Sequence, residues 1–130
     1  QICNALEEGR AVAIDYFVER EDFFNPPTPH ATLRGYYQHR RSDDLLANSG
    51  KQDLTASVDL NEIRDAARTA GIESKKLTSQ GKFFVSIFQK TLEIPAQFPE
   101  WESERLRQFQ TLTHPDHLGR AFSILENWRR

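Results

Sequence analysis

Apolar residues fall at different spacings along the chain, and each spacing predicts a different element. Residues 10–17, "RAVAIDYF", are apolar on both alternating faces and partly β-branched. Such a run suits a strand covered on both sides. Ahead of it, "QICNALEEG" (1–9) sets Ile2 and Leu6 four apart and ends in Gly9, the pattern of a helix closed by a left-handed glycine. Helix, glycine turn and buried strand together make one αβ unit of a parallel sheet.

After Phe17 the periodicity stops. The stretch "EREDFFNPPTPHATLRGYYQHRRSDDLLANSGK" carries three prolines, scattered aromatics and no sustained period. Loops longer than about 12–15 residues are usually functional or disordered. This one keeps Phe23, Phe24, Leu33, Tyr36, Tyr37, Leu45 and Leu46, too many apolar groups for a disordered linker. It reads as an ordered, lid-like excursion over 18–50, with one short strand around Thr32–Tyr37.

Order returns at "SVDLNEIRDAARTAG" (57–71). Asp59 and Glu62 form a capping box, Val58 and Ile63 stand at its staple positions, and Leu60, Ile63, Ala67 and Ala70 make one apolar stripe. Gly71 closes this helix. "IESKKLTSQ" (72–80) predicts a strand, and "GKFFVSIFQKTL" (81–92) a helix with Phe83, Phe84, Ile87 and Phe88 inward. Pro99 is placed to start a further helix, "EWESERLRQFQTL", buried through Leu106, Phe109 and Leu112. "HPDHLG" turns the chain into a last strand, "RAFSILENW". Three firm strands are too few to cover "AVAIDYF" on both faces. The pattern therefore implies an α/β fold of which the chain is the C-terminal half. No internal repeat or low-complexity segment is present.

Bulk properties narrow the function classes. The chain has 130 residues, 38% of them hydrophobic and 28% charged, with a formal net charge of -2. That length is one domain's worth, so 1–130 is expected to be part of a single domain. The charge gives no electrostatic reason to expect nucleic acid as a partner. No apolar run approaches the roughly 20 residues that span a bilayer, so no membrane insertion is expected. The lone Cys3 excludes an internal disulfide and fits a reducing compartment. No signal peptide is visible, and the missing initiator Met points to a trimmed start.

Several polar groups are candidates for chemistry, each with a plainer structural reading. Asp15 and Tyr16 end the first strand, where open α/β sheets bind ligands; Asp15 could equally cap a turn. "HRRSDD" (39–44) is either a solvated charge cluster or, through His39, a source of a base or a hydrogen-bond partner. "HPDH" (114–117) falls short of the three or four convergent ligands that zinc needs, and no metal is expected. Asp59 reads as a helix N-cap. Asp53 and Thr55 are not explained by that cap; they alternate, so an extended segment shows both on one side. Neither GxGxxG nor GxxxxGK[ST] occurs, so the main loop for any cofactor is expected upstream of Gln1.

The stretches "GRAVAIDYF", "TLRGYYQHRRSDDLLANSGKQDLTASVDLNEIRDAARTAG", "LTSQGKFFVSIF" and "HPDHLGRAFSIL" run in an order that resembles the C-terminal half of the MidA-like S-adenosylmethionine-dependent methyltransferases. The middle stretch is the most specific of the four. The resemblance implies a class I, Rossmann-like methyltransferase sheet whose last strand is antiparallel. "GRAVAIDYF", "IESKKLTSQ" and "RAFSILENW" would be its fifth, sixth and seventh strands. It implies S-adenosylmethionine as cofactor and a protein substrate methylated on a side chain such as arginine. It also implies a link to respiratory complex I assembly, and placement in the cytoplasm or the mitochondrial matrix. A homodimer is compatible with it, as is a non-catalytic module with the same fold. Asp15 and Tyr16 match the family's D-Y, Arg34, His39, Asp53, Thr55 and Asp59 the polar positions of its middle run, and Gln80 a glutamine that opens the next helix. Asp15, Tyr16, His39, Asp53 and Asp59 are the catalytic candidates on this resemblance, and Arg34, Thr55 and Gln80 the substrate-binding ones. Phe17 and Phe88 depart from the family, which has Gly at both places.

Overall fold

The computed structural model describes residues 5–25, 32–98 and 100–130. Residues 1–4 of the helix expected over 1–9, Cys3 among them, together with Pro99 and the prolines near residue 27, lie outside them; of 5–9 only Ala5 is helical, so the expected helix does not reach Gly9. Gly9 opens the first strand, β1 (Gly9–Asp15), at φ +116, a conformation that glycine alone takes readily. The chain divides into two compact units. One runs to Asp15 and resumes over Ala67–Arg130, and the other is Tyr16–Ala66.

In the first unit β1 pairs along its whole length with the last strand, β9 (Ser123–Arg129), from Gly9 opposite Arg129 to Asp15 opposite Ser123. The pairing is antiparallel, as expected of the last strand. The stretch read as one strand over 72–80 is two short ones, β7 (Glu73–Ser74) and β8 (Thr78–Ser79), both on β9. Lys75 and Lys76 fall in the break between them. Ile124 and Leu125 of β9 are fully buried with Ile72 and Ala67. Burying each Ile or Leu side chain contributes about 1.5–3 kcal/mol relative to exposure. Val12 and Ile14 remain 41% and 45% exposed. The described residues therefore do not supply the two-sided cover expected for β1.

Two helices complete this unit, α3 (Gln80–Glu93) and α4 (Ser103–Thr113), joined through a single 3₁₀ turn at Pro95–Gln97. Phe88 fills the space between them, 4.7 Å from the Trp101 ring and 5.0 Å from Phe109. A glycine at that position would remove one ring of a three-ring cluster, since Trp101 and Phe109 also meet, at 5.4 Å. Helix α2 (Leu60–Thr69) has the predicted ends. Ile72 N–H donates to Ala67 O and Gly71 N–H to Arg68 O, the paired bonds of a Schellman stop, with Gly71 at φ +71. Arg129 adds a bond from its guanidinium to Ala70 O.

The second unit contains more regular structure than the sequence predicts. Asp15 ends β1, and after Tyr16 a two-residue strand, β2 (Phe17–Val18), pairs in parallel with β6 (Val58–Asp59). A short helix, α1 (Arg20–Phe24), follows. The excursion then folds into a three-stranded antiparallel sheet in the order β4–β3–β5, formed by Arg40–Ser42, Leu33–Tyr37 and Asp53–Ala56. Only β3 was legible in advance. β4 and β5 are three and four residues long, too short to show a period of two.

Candidate functional site

Strand register gives the sheet one polar face. Arg34 lies opposite Thr55, and Tyr36 opposite Asp53. Directly opposed residues share a face, as do residues two apart on one strand. Tyr16 joins this group. The Arg34 guanidinium carbon stands 4.9 Å from the centre of the Tyr16 ring, a cation–π contact. The Tyr16 backbone is fixed where β6 begins, because Val58 N–H donates to Tyr16 O at 2.9 Å. Tyr16, Tyr36, Gln38, His39, Lys51, Asp53 and Thr55 line an open cavity of about 410 Å³.

The turn between β3 and β4 presents Gln38 and His39 to that cavity. Their φ angles are +49 and +63, the left-handed values of a two-residue primed hairpin turn, where Asn and Gly are the usual occupants. Left-handed backbone costs a residue with a Cβ about 1–2 kcal/mol. Strain of this kind gathers at binding sites. The side chains of His39, Lys51 and Asp53 make no hydrogen bond or ion pair among the described residues. An acid and a base thus share one cavity without neutralising each other.

Asp59 is arranged differently. It is only 7% exposed, and its Oδ1 accepts from the N–H groups of Asn61 (2.8 Å) and Glu62 (3.3 Å), the predicted N-cap. Its Oδ2 accepts from Arg20 Nε at 3.0 Å. Burial raises the carboxyl pKa, but the Arg20 hydrogen bond, the two backbone donors and the guanidinium charge outweigh it and hold the group below its usual value. Arg64 on Glu19, at 3.6 Å, ties the same helix to the start of α1.

Two predicted residues lie in the other unit. Asp15 ends β1 opposite Ser123. Gln80 is 4% exposed; its amide donates to Leu112 O (2.9 Å) and Leu118 O (3.2 Å), and its backbone N–H to Phe122 O. Its amide so joins the end of α4 to the turn that follows. In that turn the rings of His114 and His117 are 5.3 Å apart. No group of three or more His, Cys, Asp or Glu among the described residues is placed to hold a metal.

Three cavity residues escaped the sequence reading: Tyr36, Gln38 and Lys51. One had a usable signal: Tyr36 follows Arg34 by two in the predicted strand, so alternation puts it on the face of a residue already singled out. Lys51 lies in the turn ahead of β5, where alternation does not apply.

A cofactor such as S-adenosylmethionine needs close backbone approach, which glycine provides. Three of the six glycines here are packed against neighbouring atoms, and three have open space around them. Gly81 and Gly119 are packed on the backbone of residues 113, 114 and 119, and Gly35 on Gln52 and Ser42, while Gly9, Gly50 and Gly71 occupy positive-φ positions.

A family model described as "Putative S-adenosyl-L-methionine-dependent methyltransferase" matches residues 1–78. The chain is 31% identical over 105 residues to "Protein arginine methyltransferase NDUFAF7, mitochondrial" of Rattus norvegicus, covering 78% of this chain and 24% of that protein. It superposes with a TM-score of 0.76 and 27% identity on an uncharacterized COG1565 superfamily protein from Burkholderia thailandensis, covering 98% of this chain and 35% of the other. A second structure from that organism, a COG1565 superfamily member titled a "likely methyl transferase" and bound to S-adenosyl-homocysteine, gives 0.75 and 28%, with 98% and 34% covered. The chain spans about a quarter to a third of the length of these relatives.

Proposed function

Because the chain belongs to the S-adenosyl-L-methionine-dependent methyltransferases of this family, we propose that it supplies the acceptor-binding side of such an enzyme. The acceptor on this reading is a protein side chain, and arginine is the first choice, being the residue named for the rat relative. A role in respiratory complex I assembly, and residence in the mitochondrial matrix or the cytoplasm, belong to the same proposal. No helix among the described residues is long and apolar enough to cross a membrane.

The observation that carries the reading is the Asp53 carboxylate, without a partner among the described residues in a cavity also lined by Tyr16 and Tyr36. A guanidinium offers paired N–H donors that a carboxylate accepts in fork geometry, and aromatic faces favour its planar cation. S-adenosylmethionine, when bound, supplies the methyl group. Asp53 holds the acceptor nitrogen in line and takes up the proton that nitrogen gives up. Thr55 and His39 add hydrogen bonds that fix the plane of the acceptor. Asp59 acts at one remove, through Arg20 and the start of α2. The excursion 18–50 contributes β3 and β4, so it forms the floor of this site.

Methyl transfer from labelled S-adenosylmethionine to protein acceptors, measured on the full-length protein, tests this. Proton transfer by a positioned side chain contributes about 10²–10⁴-fold, so Asp53→Asn should lower kcat/KM about 100-fold or more. Binding of S-adenosylhomocysteine should not change. Equal kcat/KM in the variant would remove Asp53 from the mechanism. Acceptor binding without any transfer would identify a non-catalytic module instead.

A further inference from the structure

Lys51 is not accounted for by a site that recognises only a cation. It lines the same cavity as Asp53, two residues before it in sequence, and like Asp53 it makes no ion pair among the described residues. Two opposite charges that could have neutralised each other are held apart in one cavity. A ligand carrying a single positive charge satisfies Asp53 but meets an unpaired ammonium beside it. A ligand carrying both signs satisfies both.

We infer that the preferred acceptor is a peptide segment with an acidic residue two positions from the methylated basic residue, and that Lys51 reads that acid. The inference rests on the acceptor site proposed above. Lys51 stands in the turn just ahead of β5, where its N–H donates to Asn48 O, and its side chain and that of Asp53 line one cavity. In an extended peptide, residues two apart point to the same side, roughly 6–7 Å from each other, a spacing that lets one peptide present two side chains to a single cavity. A peptide lying along the β5 end of the sheet thus sets one side chain over Asp53 and the next on that side over Lys51. Gln38 and His39, from the β3–β4 turn, bring further hydrogen-bonding groups to the same cavity. Lys51 also works by exclusion, since a polybasic segment sets a second cation against its ammonium.

The test uses the full-length protein and synthetic peptides with a central arginine, and Glu, Gln or Lys at both positions two residues away. Peptide Kd is read by fluorescence anisotropy, and KM and kcat by methyl transfer. An exposed ion pair contributes about 0.2–1 kcal/mol, so the Glu peptide should bind up to roughly fivefold tighter than the Gln peptide. The Lys peptide should bind weakest. Lys51→Glu should invert that order through KM with little change in kcat, and Lys51→Gln should flatten it. Lys51 is exposed, so neither variant should shift the melting temperature. An unchanged order in Lys51→Glu, with Asp53→Asn still weakening every peptide, overturns the inference and leaves the proposed function standing. Peptide binding that ignores both substitutions, or no binding at all, overturns both.

Discussion

In the unit Tyr16–Ala66, the polar face of a three-stranded sheet leaves Asp53, Lys51 and His39 without partners among the described residues. In the unit that holds β9, the comparable polar groups are consumed by the fold. The Gln80 amide holds two backbone carbonyls. Arg129 donates to Leu6 O and Ala70 O. Ser74 Oγ donates to Asn127 Oδ1 at 2.6 Å. All of these residues are ordinary polar positions in the sequence. What separates them is hydrogen-bond saturation: a saturated buried group supports structure and is costly to disturb. An unsaturated group at an open cavity costs the fold little and remains available to a ligand. Substitutions should therefore act on stability in one unit and on binding in the other.

The largest effect belongs to the saturated unit. A Cβ added at Gly119 would overlap Thr113 O and stand 2.8 Å from His114 O, both backbone atoms that no rotamer change can move away. Gly119 N–H also donates to His114 O, and Gly119 O accepts from Gly81 N–H. Gly119→Ala is expected to destabilise by about 3 kcal/mol or more, beyond ordinary overpacking. Chemical denaturation of the full-length protein measures it. A loss below about 0.5 kcal/mol, the size of an ordinary surface substitution, would show that this turn is not the constraint the geometry describes.

Asp59 breaks the simple contrast, because it is a saturated residue inside the unsaturated unit. Its pH dependence shows which kind of residue it is. The folded pKa lies below the unfolded reference of 3.8. The stabilisation it brings is therefore complete above 3.8 and is lost as pH falls below that value through the folded pKa. Asp59→Asn keeps an N-cap acceptor but removes the charge that Arg20 meets. The variant should melt lower than the parent at neutral pH, and the two curves should converge below pH 3.8. Parallel melting curves from pH 7 to pH 3 would mean that Arg20 contributes nothing through Asp59.

How much was legible in the sequence follows the same division. The α2 cap at Asp59, its stop at Gly71, the helix at 81–92 and the last strand all rest on local signals: a capping residue, a positive-φ glycine, an apolar period. Those signals appear within a few residues of the feature they specify. The antiparallel pairing of β1 with β9 joins residues more than a hundred positions apart, and no local pattern encodes it. In the candidate site, alternation correctly set Asp53 and Thr55 on one face. The Arg20 hydrogen bond to Asp59 was not legible, since its partner lies 39 residues away. Gln80 shows the same limit from the other side. Its position at a helix start is local, but the carbonyls it binds are 32 and 38 residues distant.

The smallest expected effect sharpens the comparison most, because it separates stability from binding at a single residue. His39 sits at φ +63 and Gln38 at φ +49, so the β3–β4 turn forces two residues with Cβ atoms into left-handed backbone. Glycine relieves that strain at His39 and gives back part of the gain through its freer unfolded chain. The net expectation for His39→Gly is a stabilisation of about 0.5 kcal/mol. The same substitution removes an imidazole from a cavity that the proposed acceptor enters, so peptide KM should rise while the melting temperature rises. A gain in stability with unchanged KM would mean that the strained turn serves no recognition, and that His39 belongs with the solvated charges of "HRRSDD". A loss of stability would mean that the His39 side chain supports the sheet, moving the boundary between the two kinds of polar residue into the turn. Only a higher melting temperature together with a higher KM leaves His39 on the side of Asp53 and Lys51.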